Sequence, residues 1–172
     1  MRRWSALILL AALSACASSG GGASRATPPG TATVVRPVDG DTVLVDIDGT
    51  EEYVRFIGID TPESVAQDRP KECFGPESKE RTAALLPTGT VVRLERDVEA
   101  RDRYGRLLAY VIRARDGMFV NLVLVEEGYA EARAYPPNLA RQDDLDRAEA
   151  TARSRRTGLW PACGGTDAPL GQ

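Results

Sequence analysis

Histidine is absent from this sequence of 172 residues. The absence excludes metal sites with imidazole ligands and the Ser-His and Cys-His pairs of nucleophilic enzymes. It also excludes every mechanism in which histidine is the base or the nucleophile. If the protein is an enzyme, its chemistry must come from carboxylates, arginines, tyrosines and, where needed, a hard cation.

Cysteine is scarce, with three residues in the chain. Cys16 ends an N-terminal signal described below, which leaves Cys73 and Cys163 as an even pair. In an exported protein such a pair predicts a disulfide. In the chain-entropy model, closing a loop of about 90 residues stabilises a protein by roughly 4–5 kcal/mol. The alternative is one buried free thiol and one exposed thiol near the C-terminus.

An excess of positive charge is also lacking, since the chain has 22 Lys+Arg against 25 Asp+Glu. Removing Arg2 and Arg3 with the N-terminal signal leaves 20 against 25, a net charge near −5. Any contact with an anionic polymer must therefore be local and made by a few placed arginines.

The apolar run near the N-terminus is too short to serve comfortably as a permanent membrane anchor. Residues 1–15 begin MRRW and continue through ALILLAAL, which predicts a signal peptide. The sequence LSAC at 13–16 resembles the lipobox of bacterial lipoproteins. We therefore expect Cys16 to become the lipidated first residue, and the protein to be held at the bacterial cell envelope. The alternative is an ordinary cleaved signal with a chance cysteine.

The segment after the signal divides into a tether, one domain and a tail. Residues 16–30 are small and flexible and suit a tether. Residues 31–164 are enough for one domain with a core. Residues 165–172 are predicted to be a disordered tail.

The domain alternates β-rich runs with turn signals, and two helical patterns follow later. Its order favours an α+β domain with a five-stranded OB-fold-like β-barrel and about three packed helices. The predicted strands are 31–38, 42–47, 51–59, 90–98 and 106–113, with a short strand at 118–120. The predicted helices are 76–86, 121–128 and 139–158.

The hairpin around the turn at 48–50 brings chemical groups to one end. If paired residue numbers sum to about 97 ± 1, Asp41 lies opposite residues 55–57, and Asp60 follows a few residues later. Asp41, Arg55 and Asp60 then come within reach of each other. Arg55 shares a face with Asp41 only if the pair sum is even, which the sequence does not fix.

Oxygen ligands without histidine or cysteine favour Ca²⁺ or Mg²⁺. Asp41, Asp60 and the carbonyl of Thr61 could supply an open site for such a cation, while Glu63 stands where a base could act. A cation and Arg55 together could stabilise the negative charge that grows on the phosphoryl oxygens in the transition state of phosphoryl transfer.

The run RDRYGRLLAY at 101–110 reads as a charged turn that enters a strand. Arg106 could aim its guanidinium at the same barrel end and hold a phosphate in bidentate fashion. Tyr104 and Tyr135 could stack on bases, although single tyrosines of this kind are more often rim or core residues.

Five stretches in this order closely resemble the staphylococcal nuclease (thermonuclease) family: VDGDTV, VRFIGIDTPE, CFGPES, DRYGRLLAYV and VNLVLVEEGYA. The resemblance covers about 36–160. It implies an OB-fold barrel with three helices and a Ca²⁺-dependent phosphodiesterase that acts on DNA and RNA, leaving 3′-phosphates. We expect a monomer of the exported lipoprotein type.

The resemblance also implies roles for individual residues. Asp41 and Asp60 match the calcium carboxylates, and the Thr61 carbonyl matches a further ligand. Arg55 and Arg106 match the phosphate-binding arginines, and Glu63 matches the general base. The matching substrate-binding residues are Arg103, Tyr104 and Tyr135. Asp39, Gly40 and Thr42 are expected to shape the turn that presents Asp41.

The chain departs from the best-known members of the family in three ways. Arg133 stands where they place an aromatic that stacks on the base, and Cys73 and Cys163 are absent from them. Its acidic net charge is also unlike the strongly basic secreted forms. Two alternatives to an active nuclease are a non-catalytic OB module that binds nucleic acid or protein, and a structural surface lipoprotein. The joint presence of Asp41, Arg55, Asp60, Glu63 and Arg106 favours the enzyme.

Overall fold

A computed structural model describes residues 30–64 and 71–169. The strands are β1 Thr31–Asp39, β2 Thr42–Ile47, β3 Thr50–Phe56, β4 Ile59–Asp60, β5 Val91–Glu95, β6 Leu107–Arg113, β7 Met118–Phe119 and β8 Glu131–Ala132. The helices are α1 Gly75–Leu85, α2 Val120–Glu126, α3 Gln142–Arg155 and α4 Leu159–Cys163.

Five strands close into a barrel. The main sheet runs in the order β3-β2-β1-β5-β6-β7, and β3 also pairs with β6 in parallel, which joins the two sides. Alternating valines such as Val43, Val45 and Val54 fill the interior, together with Phe56. Leu124 of α2 and Leu145 of α3 extend the same core. This architecture confirms the predicted α+β OB-fold class.

The β2–β3 hairpin has paired residue numbers that sum to 97, from Thr42↔Arg55 to Ile47↔Thr50. Its turn is the dipeptide Asp48-Gly49, with φ values of 53° and 87°. Two positive φ angles are the geometry of a type I′ turn, which Asp-Gly favours. The sum is odd, so Arg55 lies directly opposite Thr42, the residue after Asp41.

The β1–β2 turn consists of Gly40 and Asp41, between the paired residues Asp39 and Thr42. A Cβ atom at Gly40 would lie 2.7 Å from the hydroxyl oxygen of Thr61. The hydroxyl of Thr82 in α1 donates to the Gly40 carbonyl at 2.5 Å. Glycine is therefore needed here because two neighbouring segments pack directly against the turn.

Cys73 and Cys163 form a disulfide in the structure, with Cα atoms 5.9 Å apart. The bond joins Cys73, two residues before α1, to the last residue of α4. It lies outside the cluster of buried residues that forms the barrel core.

Several boundaries differ from the sequence prediction. β5 ends at Glu95 rather than at residue 98, and α3 begins at Gln142 rather than at 139. The sequence prediction missed α4 as a separate helix. In the described part of the predicted tail, residues 165–169, the carbonyl of Ala168 accepts a hydrogen bond from the amide of Cys73 at 2.7 Å.

The predicted signal peptide (1–15), most of the predicted tether and the predicted lipidation site Cys16 lie outside the described residues. Within the described ranges, none of the helices is long and apolar enough to cross a membrane.

Candidate functional site

Arg55 joins two aspartates at one end of the barrel. Its Nη2 lies 3.1 Å from Oδ2 of Asp41 and 2.8 Å from Oδ1 of Asp60. Its Nη1 donates to the carbonyls of Phe56 and Ile59, both at 2.8 Å. The side chains of Asp41, Arg55 and Asp60 are no more than 19% exposed. Asp41, Arg55 and Asp60 therefore form the predicted cluster, and both terminal nitrogens of Arg55 are held by its neighbours.

Asp41 is oriented by two threonines. The hydroxyl of Thr42 donates to Oδ1 at 2.9 Å. The amide and hydroxyl of Thr61 donate to Oδ2 at 3.2 and 3.1 Å. Thr61 thus lies against Asp41, and the role of its carbonyl as a cation ligand stays a prediction.

Asp60 carries two further partners from the segment after β8. Nη1 of Arg133 lies 3.1 Å from Oδ2 of Asp60, and the hydroxyl of Tyr135 lies 3.4 Å from Oδ1. Burial raises the pKa of Asp60 to about 6, an effect that Arg55 opposes and Asp41 reinforces. The raised pKa means that burial disfavours the ionised carboxylate more than Arg55 and Arg133 stabilise it.

Glu63 lies in the same acidic environment. Burial raises its pKa to about 7, and the hydrogen bond and negative charge of Asp39 add to this, followed by repulsion from Asp41 and Glu72. A carboxyl group whose pKa lies near neutrality is matched to proton transfer at neutral pH. Its position is consistent with the predicted role of a general base.

Asp39 does more than the turn-shaping expected of it. Its Oδ1 accepts the amide of Gly40 at 2.9 Å and also the hydroxyl of Ser64. Because Ser64 follows Glu63 directly, Asp39 fixes the backbone next to the candidate base. Sequence reasoning noted the DGD pattern but had no means to show which aspartate faces residue 64.

Arg106 approaches from the start of β6. Its Nε donates to Oδ2 of Asp102 at 2.7 Å, and its amide donates to Oδ1 at 3.0 Å. Its guanidinium carbon lies 5.6 Å from the ring centre of Tyr104, which is 69% exposed. Arg103 donates to the hydroxyl of Tyr104 at 2.7 Å. Asp102 is a positioning residue that the sequence analysis did not assign, although its i, i+4 spacing to Arg106 was a usable signal.

One open cavity of about 700 Å³ brings the predicted residues together. Its lining includes all but one of the predicted catalytic, ligand and substrate-binding residues: Asp41, Arg55, Asp60, Thr61, Glu63, Tyr104, Arg106 and Tyr135. Arg103 lines an adjacent groove that shares Arg55, Tyr104, Arg106 and Tyr135 with it. The cavity also includes Arg133, which the resemblance placed at a base-stacking position, and Glu72 and Asp167, whose places in it were not predicted.

The donor set fits a hard cation in part. In residues 30–64 and 71–169, no group of three or more acidic, histidine or cysteine side chains is placed to hold a metal. Asp41 and Asp60, however, both contact Nη2 of Arg55. The two carboxylates are therefore close enough for one positively charged group to contact both. A cation here would take its remaining ligands from backbone oxygen and water, as Ca²⁺ commonly does.

The barrel and its cleft define an α+β OB-fold protein with a carboxylate–arginine site at one barrel end. The family model described as "Staphylococcal nuclease homologue" matches residues 53–162. The thermonucleases of Staphylococcus hyicus and Staphylococcus intermedius are each 42% identical over 127 residues. The match covers 74% of this chain, and 73% and 74% of theirs. Endonuclease YncB of Bacillus subtilis (strain 168) is 36% identical over 134 residues, which are 77% of this chain and 62% of YncB. The chain therefore belongs to the staphylococcal nuclease family, which confirms the resemblance drawn from the sequence.

Proposed function

We propose that this protein is an exported, Ca²⁺-dependent nuclease that hydrolyses phosphodiester bonds of DNA and RNA and leaves 3′-phosphates. Its activity as a nuclease of the hydrolase class rests on its family and on relatives named thermonuclease and endonuclease. The proposed Ca²⁺ dependence and mechanism rest on one observation. Arg55 bridges Asp41 and Asp60 in a cavity that Glu63 and Arg106 also line.

Asp41 and Asp60 would hold the cation, with the carbonyl of Thr61 as a further ligand. When bound, a hard cation supplies charge stabilisation to a phosphoryl oxygen and lowers the pKa of water. Ca²⁺ suits the oxygen-only donor set and its partial protein coordination.

Glu63 takes a proton from the attacking water as the water oxygen bonds to phosphorus and the bond to O5′ breaks. The departing O5′ takes a proton from solvent, which leaves a 5′-hydroxyl and a 3′-phosphate, and Glu63 returns its own proton to solvent. Arg106 donates hydrogen bonds to phosphoryl oxygens, where negative charge grows in the transition state. Arg55 would join it once a bound cation replaced its Nη2 as the partner of Asp41 and Asp60. Asp102 keeps the Nε edge of Arg106 occupied and leaves its outer nitrogens for the phosphate.

Exposed residues beside the cleft would hold the polynucleotide. Tyr104 and Tyr135 are 69% and 44% exposed and offer stacking faces to bases. Arg103 has no carboxylate partner among the described residues and can contact a phosphate from the adjacent groove. Unstacked bases can stack on these faces, so single-stranded or locally opened substrates are preferred. We also propose that the protein acts as a monomer.

The test is digestion of single- and double-stranded DNA and of RNA by the chain lacking residues 1–24, with Ca²⁺ or with chelator. We expect degradation that requires Ca²⁺ and yields 3′-phosphate ends. Glu63→Gln and Arg106→Ala should each lower kcat about 100-fold or more. Arg155→Ala, an exposed arginine on α3, is the matched control and should digest as fast as the parent.

Degradation that persists in chelator would contradict the role of Ca²⁺. Variants at Glu63 or Arg106 that match the parent would contradict the assigned roles even if the protein is active. Binding of nucleic acid without cleavage would favour the non-catalytic OB module instead.

The proposed location is the bacterial cell envelope, with a lipid on Cys16. The support is the signal-like segment at 1–15 and the lipobox-like sequence that ends it. Mass spectrometry of the mature N-terminus tests this, since an unlipidated N-terminus at a residue other than Cys16 would contradict it.

A further inference from the structure

Residues 164–169, which we call the C-terminal strap, run from the end of α4 to the side of the cleft. The Cys73–Cys163 disulfide fixes the start of the strap. Near its end, the amide of Cys73 donates to the carbonyl of Ala168 at 2.7 Å, and Pro169 forms a β-bridge with Glu72. The strap is therefore tied at both ends to residues 72–73.

The same two residues hold the backbone of the candidate base. The amide of Glu63 donates to Oε2 of Glu72 at 2.7 Å, and the amide of Glu72 donates to the carbonyl of Glu63 at 3.0 Å. A Cβ atom at Gly75 would lie 2.5 Å from the Glu63 carbonyl oxygen, so the start of α1 also packs against this backbone. The position of Glu63 thus depends on a segment that the disulfide anchors.

The middle of the strap reaches the other wall of the cleft. Nη2 of Arg133 lies 3.1 Å from the hydroxyl of Thr166 and 3.2 Å from Oδ2 of Asp167. The amide of Thr166 donates to Oε1 of Glu131 at 2.8 Å. Arg133 in turn contacts Asp60 through its Nη1. The strap therefore holds the arginine that lies against a candidate cation ligand.

We propose that the Cys73–Cys163 disulfide and the C-terminal strap are a positioning device for the active site, with Glu72 as the link to Glu63. The contacts form a continuous ring from Glu63 through residues 72–73 and the strap to Arg133 and Asp60. The disulfide lies outside the barrel core, so its effect falls on the cleft rather than on the barrel. The catalytic consequence rests on the proposed nuclease activity, whereas the positioning itself does not.

The experiment compares the parent with Cys73→Ala/Cys163→Ala, Glu72→Ala and Glu72→Gln, and with Glu80→Ala as a control on the exposed side of α1. Amide hydrogen exchange at Glu63 is measured by NMR without substrate, and kcat and KM are measured with single-stranded DNA. All measurements are made at a temperature at which circular dichroism shows every variant folded.

We expect the double cysteine variant and Glu72→Ala to increase exchange at the Glu63 amide at least tenfold. We also expect them to lower kcat about fivefold or more, with KM within twofold of the parent. Glu72→Gln should retain most of the protection and most of kcat, because its amide oxygen can still accept the Glu63 N–H. Glu80→Ala should match the parent in both measurements.

Unchanged Glu63 exchange in the double cysteine variant would overturn the proposal, even if the melting temperature falls. Faster exchange with unchanged kcat would overturn its catalytic part, since the disulfide would then only stabilise the fold. If the parent itself shows no nuclease activity, the proposed function fails, and amide exchange alone decides whether the disulfide positions Glu63.

Discussion

Arg106 owes its direction to one carboxylate. Asp102 accepts both the amide and the Nε of Arg106, and it also accepts the amide of Tyr104 at 2.9 Å. An arginine side chain left free would populate many rotamers, and ordering it during binding would cost free energy. The carboxylate of Asp102 orders the Arg106 side chain in the free protein. The guanidinium is therefore already oriented toward the cleft before a phosphate binds.

Replacing Asp102 by Asn should therefore lower kcat/KM about tenfold or more, because misplacement of a phosphate-binding group weakens transition-state contacts. Steady-state kinetics on single-stranded DNA measure the effect. Asp116→Asn is the matched control, since Asp116 forms a comparable pair with Arg113 outside the cleft. It should leave kcat/KM unchanged, and a parent-like Asp102→Asn would show that Arg106 does not need its partner.

The sequence predicted the residues whose side chains would contact the cation or the substrate. It did not predict the residues that hold those groups in position. Asp41, Arg55 and Asp60 were predicted because a hairpin brings them to one end. Asp39 and Glu72 were missed because their roles depend on backbone atoms of residues 63 and 64. Those contacts form only when the turn before β2 and the segment before α1 pack together.

At the scale of elements, the β2–β3 turn sets which residues meet at the barrel end. Gly49 has φ 87° and no atom outside its immediate chain neighbours within 4 Å of an added Cβ. Its amide donates to Oδ1 of Asp46 at 3.0 Å. Any penalty for a larger residue at this position is therefore a backbone penalty rather than a packing clash.

Gly49→Val should lower the free energy of unfolding by about 1–2 kcal/mol, the cost of a left-handed conformation for a residue with a Cβ. Gly49→Asn should lose less, because asparagine tolerates this conformation. Urea denaturation compares the two variants with the parent. Equal stability of the Val and Asn variants would show that the turn relaxes to another form. Activity should persist in both, since the turn lies at the barrel end opposite the cleft.

The order of strands was predictable because β-branched alternation and Asp-Gly turns are local signals. The sequence left open whether Arg55 and Asp41 share a face, and the observed pair sum of 97 is odd. Asp41 lies in the turn before β2 rather than within a strand, so strand parity does not govern its side chain, and the long side chain of Arg55 spans the offset. α4 and the strap were missed because the contacts that hold them come from residues far away in the chain.

At the scale of the whole molecule, burial of carboxylates at one barrel end carries a cost. The pKa of Asp60 is raised to about 6 by burial, with Asp41 adding to the effect. A carboxyl group whose pKa is higher in the folded state stabilises the fold at pH values below its ordinary pKa. It loses that contribution as the pH rises through 6. A bound cation would remove the cost at neutral pH.

In chelator, the difference in free energy of unfolding between the parent and Asp60→Asn should therefore change by about 1–3 kcal/mol between pH 4 and pH 7.5, with the parent losing stability. Ca²⁺ should stabilise the parent more at pH 7.5 than at pH 5. Urea denaturation at each pH measures both effects. If the two proteins keep the same difference at every pH, Asp60 titrates normally and burial of its ionised carboxylate carries no such cost.

The first strand of the barrel begins at the end of the domain that is remote from the cleft. β1 is nine residues long, begins beside the β2–β3 turn and ends at Asp39 on the rim of the cleft. At about 3.3 Å per residue, these two ends are separated by on the order of 25 Å. With the proposed lipid on Cys16, the chain would enter the domain at the end remote from the cleft. The proposed tether would then be attached away from the cleft, which would leave the cleft accessible to polymers that arrive from the surrounding medium.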